Sequence, residues 1–160
     1  MCRKQIGRNM EYSIRNMEKG DLGQILEIEN QSSLHPWSLK TFEDEFENPN
    51  ALNYVLCGED GGVVTFVISW LYGQELEIQN IATHPAFRRK GCAKILLEHT
   101  MKTACRKGAE KAMLEVRVSN LNAIELYRQF GFEVRFLRKK YYSDQENALQ
   151  MDCLLEESRF

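Results

Sequence analysis

Apolar positions along this chain switch repeatedly between a spacing of two and a spacing of three to four, and each switch marks an element. Tyr12, Ile14 and Asn16 alternate with Ser13, Arg15 and Met17, which predicts a short strand. Asp21 then precedes Leu22, Ile25, Leu26 and Ile28, a helical stripe with an acidic residue at its N-terminal end. Pro36-Trp37-Ser38 opens a second helix, with Ser38 placed to cap it and Leu39, Phe42 and Phe46 as its apolar face. Residues 53–57 and 63–72 read as strands, joined into a hairpin through the turn Glu59-Asp60-Gly61-Gly62. After Gly73 another strand covers residues 76–83 and stops at His84-Pro85.

The period then lengthens again. Ala93, Leu96, Leu97, Thr100, Met101 and Ala104 share one helical face, and Gly108 stands where a C-cap is needed. Residues 111–118 alternate as a strand, and residues 120–130 form a short helix ended by Gly131. Residues 132–142 and 147–155 close the chain as a hairpin around Ser143-Asp144-Gln145-Glu146. The order β-α-α-β-β-β-α-β-α-β-β, with hairpins on both sides of a β-α-β crossover, predicts an α/β fold. Its sheet should be mixed, with about seven strands and flanking helices.

Length adds that 160 residues suffice for one domain with a sizeable core, expected over residues 11–156. Residues 1–10 read as a flexible extension, and Met10 as an alternative start. A formal net charge of −2 and a pI near 6.0 offer nothing to nucleic acid. No apolar run is long enough to span a membrane. The five cysteines contain no Cys-x-x-Cys pair, and His35, His84 and His99 are scattered, so neither a disulfide framework nor a metal site is expected. Free thiols suit a reducing compartment, and the expected location is the cytoplasm.

The segment Arg88-Arg89-Lys90-Gly91-Cys92-Ala93-Lys94 carries the first chemical signal. It lies between a strand and a helix, so unpaired amides and the positive end of the helix dipole face whatever occupies the loop. Gly91 lets the backbone approach a phosphate, and Ala93 keeps the first turn uncrowded. Three cations before a helix oppose the dipole unless an anion arrives. Cys92, at the helix start, is where a thiol pKa is expected to fall.

Arg88, Gly91 and Ala93 fit the pattern Q/R-x-x-G-x-G/A, the acetyl-CoA signature of the GNAT acetyltransferases, which this stretch therefore resembles. The resemblance extends from Tyr12 to Leu154. Asn80-Ile81-Ala82-Thr83, Pro36-Trp37-Ser38 with Phe42, Leu114-Glu115-Val116-Arg117, the run from Asn120 to Phe132, and Lys140-Tyr141-Tyr142 are similar to bacterial enzymes that acetylate the N-terminal alanine of a ribosomal protein. It implies acetyl-CoA as cosubstrate and direct transfer without an acetyl-enzyme. It implies Glu115 as the base that takes a proton from the amine and Tyr127 as the acid for the departing thiolate. It implies side-chain contacts to the cosubstrate from Asn120 and Asn122, and backbone contacts from Ile81, Ala82 and Thr83 to the pantetheine arm. One of those amides is a candidate for polarising the thioester carbonyl. Trp37 and Tyr141 are expected at the rim for the acceptor, an N-terminal peptide of a ribosomal protein; the enzyme is expected to work as a monomer, with no metal, nucleic acid or membrane.

Each residue also has a plainer role. Glu115 suits an edge-strand carboxylate paired with Arg117, Tyr127 a packing partner of Phe130 and Phe132, and Asn120 a helix N-cap. Trp37 and Tyr141 suit ordinary core and hairpin packing. Arg135, Arg138, Lys139 and Lys140 read as a solvated face that also attracts acidic partners. Asn147 stands where the resembled enzymes often have Asp, and Cys92 where they have an aliphatic residue. A small amine, a lysine side chain or a silent acyl-CoA sensor remain alternatives to an N-terminal acceptor.

Overall fold

The computed structural model describes residues 2–5 and 11–156. Its strands are β1 Cys2–Gln5, β2 Glu11–Asn16, β3 Tyr54–Cys57, β4 Val63–Tyr72, β5 Glu75–Thr83, β6 Lys111–Arg117, β7 Glu133–Arg138 and β8 Ala148–Leu154. Its helices are α1 Leu22–Ser32, α2 Leu39–Asp44, α3 Cys92–Arg106 and α4 Leu121–Gln129, with single 3-10 turns at Lys19–Asp21, Glu45–Glu47 and Pro85–Phe87. The strands follow the order β1-β2-β3-β4-β5-β6-β8-β7. This is the expected mixed sheet, with one strand added at its edge. The expectation of a loose extension over residues 1–10 is corrected for Cys2–Gln5, which pairs antiparallel with β2. The unpaired edge of β2 is a template for such a strand. Residues 1 and 6–10 of that extension lie outside the described residues.

Packing divides the chain into two compact units, Met1–Trp70 with Asn80–Thr100 and Leu71–Gln79 with Met101–Phe160; β4, β5 and α3 run through both. In the first unit, β2 pairs antiparallel with β3 and β3 with β4. A core of Met17, Ile25, Ile28, Phe42, Val55, Cys57, Val63, Phe66 and Ile68 lies among these elements, with Trp37 and Phe46 packed against it. Phe42 meets Phe66 edge-on at 5.6 Å, the favoured aromatic geometry. Ser38 caps α2 as expected, accepting from Thr41 N–H. Asp21 does not cap α1 with its side chain. It is buried, and its carboxylate instead takes two 2.7 Å bonds from Arg15 and one from Glu18 N–H. A buried charge is retained only when it is paired in this way.

In the second unit, β5 and β6 are parallel, with Glu75–Ile78 matched to Lys111–Leu114. β6 pairs antiparallel with β8 along its whole length, and β8 with β7. The connection between β7 and β8 is longer than the four-residue turn expected, because the strands stop at Arg138 and start again at Ala148. Helices α3 and α4 end as the sequence predicts. Gly108 and Gly131 have left-handed φ of 95° and 82°, and each is followed by a residue whose N–H bonds back five positions, the Schellman motif.

Candidate active site

The loop and the catalytic candidates lie in different units. At the loop, Thr83 ends β5, His84 N–H is bonded to Val64 O, and the 3-10 turn Pro85–Phe87 leads into residues 88–91. Arg89 and Gly91 both adopt left-handed φ, 63° and 79°. Left-handed residues in such a turn aim successive N–H groups at one point, an anion-binding nest. Ile95 N–H bonds back to Gly91 O, so Cys92, Ala93 and Lys94 carry the amides that have no helical acceptor. A Cβ on Gly91 would meet no atom within 4 Å; the glycine is needed for its φ and leaves the approach to those amides open.

The cations of the loop do not all face outward. Arg88 donates to Thr83 O, Gln31 O and Ser32 Oγ, tying the end of α1 to the loop and satisfying carbonyls that a helix C-terminus leaves free. Lys90 Nζ sits 5.1 Å from the Phe87 ring centroid. Cys92 is buried at 1% exposure. The expected fall in its pKa is corrected: burial pushes the thiol up, outweighing its hydrogen bond with Tyr12. Its side chain belongs to the core, and only its amide is left for an anion.

In the second unit, the alternation of β6 buries Ala112, Leu114 and Val116 and puts Met113, Glu115 and Arg117 on the other face. The parallel ladder ends at Ile78 and Leu114. Just past it a cavity of about 390 Å³ opens, lined by Glu77, Gln79, Glu115, Arg138, Tyr141 and Tyr142 among others. Glu115 is no edge-strand carboxylate, since β6 lies between β5 and β8, and its partner is not Arg117. Arg138 reaches across from β7, its Nε forming an ion pair with Glu115 Oε1 at 3.1 Å while Nε and Nη2 donate to Gln150 Oε1 at 3.1 and 3.0 Å. Tyr141 lies on the same cavity, and its interaction with Glu115, with burial, pushes the phenol up to about 12. Glu115 thus faces a paired cation and a phenol from the β7–β8 side.

Tyr127 is buried in α4, and its ring lies 5.7 Å from that of Phe132. The Schellman cap explains the contact: Phe132 N–H bonds to Tyr127 O and Gly131 N–H to Arg128 O, which folds Phe132 back over the last turn. Burial raises the phenol well above its usual range. Asn120 is the N-cap of α4, its side chain accepting from Ala123 N–H at 3.2 Å. Asn122 is exposed in the first turn. Trp37 is half-buried against Phe42, with centroids 5.4 Å apart, while Tyr141 is 44% exposed.

Three polar side chains of these sites were not singled out from the sequence. Arg138 and Arg117 read there as a solvated cation and a local partner, because cross-strand register cannot be read from one strand alone. Glu29 is buried at 2% and accepts from Trp37 N–H and Asn80 Nδ2 at 3.0 and 3.1 Å. Its position four residues after Ile25, on the buried stripe of α1, was the available signal. Of the basic cluster, Arg135 is spent on Asp152 and Glu133.

A strand that passes through a left-handed turn into a helix N-terminus, in a mixed α/β sheet, is the architecture of this chain. The chain belongs to the acetyltransferase (GNAT) family, which it matches over residues 22–132. It is 35% identical over 130 residues to the ribosomal protein bS18-alanine N-acetyltransferase of Escherichia coli (strain K12), covering 81% of this chain and 86% of that one. The crystal structure of the ribosomal-protein-S18-alanine N-acetyltransferase from Escherichia coli superposes with a TM-score of 0.84 at 33% identity, covering 91% and 94% of the two chains. Ard1 from Thermoplasma volcanium gives 0.86 at 26% identity, covering 91% and 99%. The chain is accordingly an N-acetyltransferase. No helix among the described residues is long and apolar enough to cross a membrane.

Proposed function

We propose that this enzyme transfers the acetyl group of acetyl-CoA to the N-terminal alanine amine of a ribosomal protein, in the cytoplasm and as a monomer. The observation that carries the reading is the carboxylate Glu115, fixed in a cavity whose rim bears two tyrosines. The named relative acts on the alanine of ribosomal protein bS18, and the likeness covers most of both chains.

The pyrophosphate of acetyl-CoA fits the nest at residues 89–91 and the amides of Cys92, Ala93 and Lys94, with charge from Arg89 and Lys90. Arg88 contributes by holding the loop to α1. Ile81, Ala82 and Thr83 offer backbone groups to the pantetheine arm, and Asn120 and Asn122 their side-chain amides. An ammonium has no lone pair, so the acceptor must first lose a proton; Glu115 takes it, directly or through water. The neutral amine attacks the thioester carbonyl, the C–N bond forms, and the C–S bond breaks as the pair returns to sulfur. Because burial keeps Tyr127 protonated, its hydroxyl is available as donor to the leaving thiolate. Holding amine and thioester together supplies much of the rate.

Trp37 and Tyr141 supply flat apolar surface with a polar tip for an extended peptide. The test is a panel of peptides beginning with Ala, Ser, Gly or Lys, each free and N-terminally blocked, read by mass spectrometry with spermidine as a further acceptor. The expected result is transfer to Ala or a similarly small first residue, and none to blocked peptides. Efficient acetylation of a blocked lysine peptide, or of spermidine alone, overturns the N-terminal assignment.

A further inference from the structure

We propose that Arg117 is a positioning residue that sets the acceptor rim through Tyr142, and so governs how tightly a peptide binds and not how fast the acetyl group moves. The inference rests on reading the Glu115 cavity as the acceptor site. Arg117 lies two residues after Glu115 on the same face of β6, yet its guanidinium turns to the β7–β8 connection. Nη1 donates to Asp144 Oδ2 at 2.8 Å and to Glu146 Oε2 at 2.7 Å. The guanidinium carbon stands 3.9 Å from the Tyr142 ring centroid, stacked on its face. Glu146 also accepts Ser119 N–H at 3.0 Å, and these bonds, Ser119 first and Arg117 next, hold its carboxyl below the usual range.

The connection needs such a clamp. Lys140 and Gln145 have left-handed φ of 51° and 68° without being glycine, a conformation L side chains rarely adopt. Its own closure includes Tyr142 N–H to Glu146 O, Gln145 N–H to Tyr142 O, Lys140 N–H to Asn147 Oδ1 and Glu146 N–H to Asp144 Oδ1. Without Arg117, Asp144 and Glu146 would face each other as like charges. The clamp reaches the cavity through the rings: Tyr142 meets Tyr141 edge-on at 5.1 Å, and both tyrosines line the cavity that holds Glu115. Arg117 itself does not line the cavity, and Tyr141 and Tyr142 do. A peptide laid along the tyrosines depends on their placement, whereas proton removal depends on Glu115.

The test compares wild type with Arg117→Met and Arg117→Lys. Arg117→Met is expected to raise KM for an Ala-initiated peptide roughly tenfold while kcat and the Kd for acetyl-CoA stay near wild type. Amide exchange should quicken over residues 139–147 and not elsewhere. Arg117→Lys keeps the charge but loses the planar stack, and is expected to fall between; if Arg117→Met does not fold, the Lys variant decides alone. A fall in kcat with KM unchanged, or unaltered exchange over residues 139–147, overturns the proposal. If wild type acetylates no N-terminal peptide, the proposed acceptor fails, while the exchange result still decides whether Arg117 clamps the rim.

Discussion

Glu115 and Tyr127 owe their fixed positions to different devices. Cross-strand partners hold the first, and a helix cap with an aromatic contact holds the second. Tyr127→Phe keeps the ring against Phe132 and removes only the hydroxyl. Melting within a degree or two of wild type is expected, with turnover lowered about 10- to 100-fold, toward the lower part of the range for general acid catalysis. Equal activity at every pH would leave Tyr127 a packing residue. The types of both residues and their places on a strand and a short helix were legible in the sequence, because alternation and the Asn120 and Gly131 boundaries are local signals. The Arg138 partner of Glu115 was not, because it comes from a strand two positions away in the sheet. The Asn120 cap was legible for the same local reason, and it fills one of that residue's two expected roles.

Among elements, the strand–loop–helix unit around Gly91 is the proposed cosubstrate site. Gly91→Val places a β-branched residue at φ 79°, which costs roughly 1–2 kcal/mol and strains the turn that leads into the free amides. The Kd for acetyl-CoA, measured by calorimetry, is expected to rise at least about tenfold, the equivalent of one lost charge-assisted hydrogen bond. An unchanged Kd would place the phosphates elsewhere. The succession of elements from β2 onward and the ends of α3 and α4 followed from hydrophobic period and glycine positions. Two features did not. The edge strand β1 has no alternation to announce it and depends on pairing with β2. The Cys92 side chain was judged from its helix position alone, whereas burial beside Tyr12 decides its pKa.

For the molecule as a whole, opposite pKa shifts set both limits of the pH range. Burial, then the Cys92 hydrogen bond, pushes Tyr12 up to about 12, and Tyr141 and Tyr127 are raised as well. The folded phenols keep protons that the unfolded chain loses above about pH 10, so stability falls as pH climbs from there. Asp21 and Asp152 are opposed by burial yet held below the usual range, Asp21 by Arg15 and Glu18 N–H, Asp152 by Arg135 and Lys111. Their contribution is present above about pH 4 and is lost as pH drops below it. Urea midpoints should therefore form a plateau through neutral pH and decline on both sides, with a shallower alkaline decline in Tyr127→Phe. A midpoint still level at pH 11 would contradict the buried phenols.

The central claim is that the enzyme moves acetyl from CoA to an amine with Glu115 as the base. The most direct measurement follows free CoA thiol and acetylated peptide together, with acetyl-CoA and an Ala-initiated peptide, for wild type and Glu115→Gln. Wild type should release one CoA per peptide acetylated. Glu115→Gln should bind acetyl-CoA as tightly but turn over about 10²- to 10⁴-fold more slowly at neutral pH, and recover partly at higher pH, where more of the amine is already neutral. Binding of acetyl-CoA without CoA release for any amine, or equal rates in the two proteins at neutral pH, would contradict it.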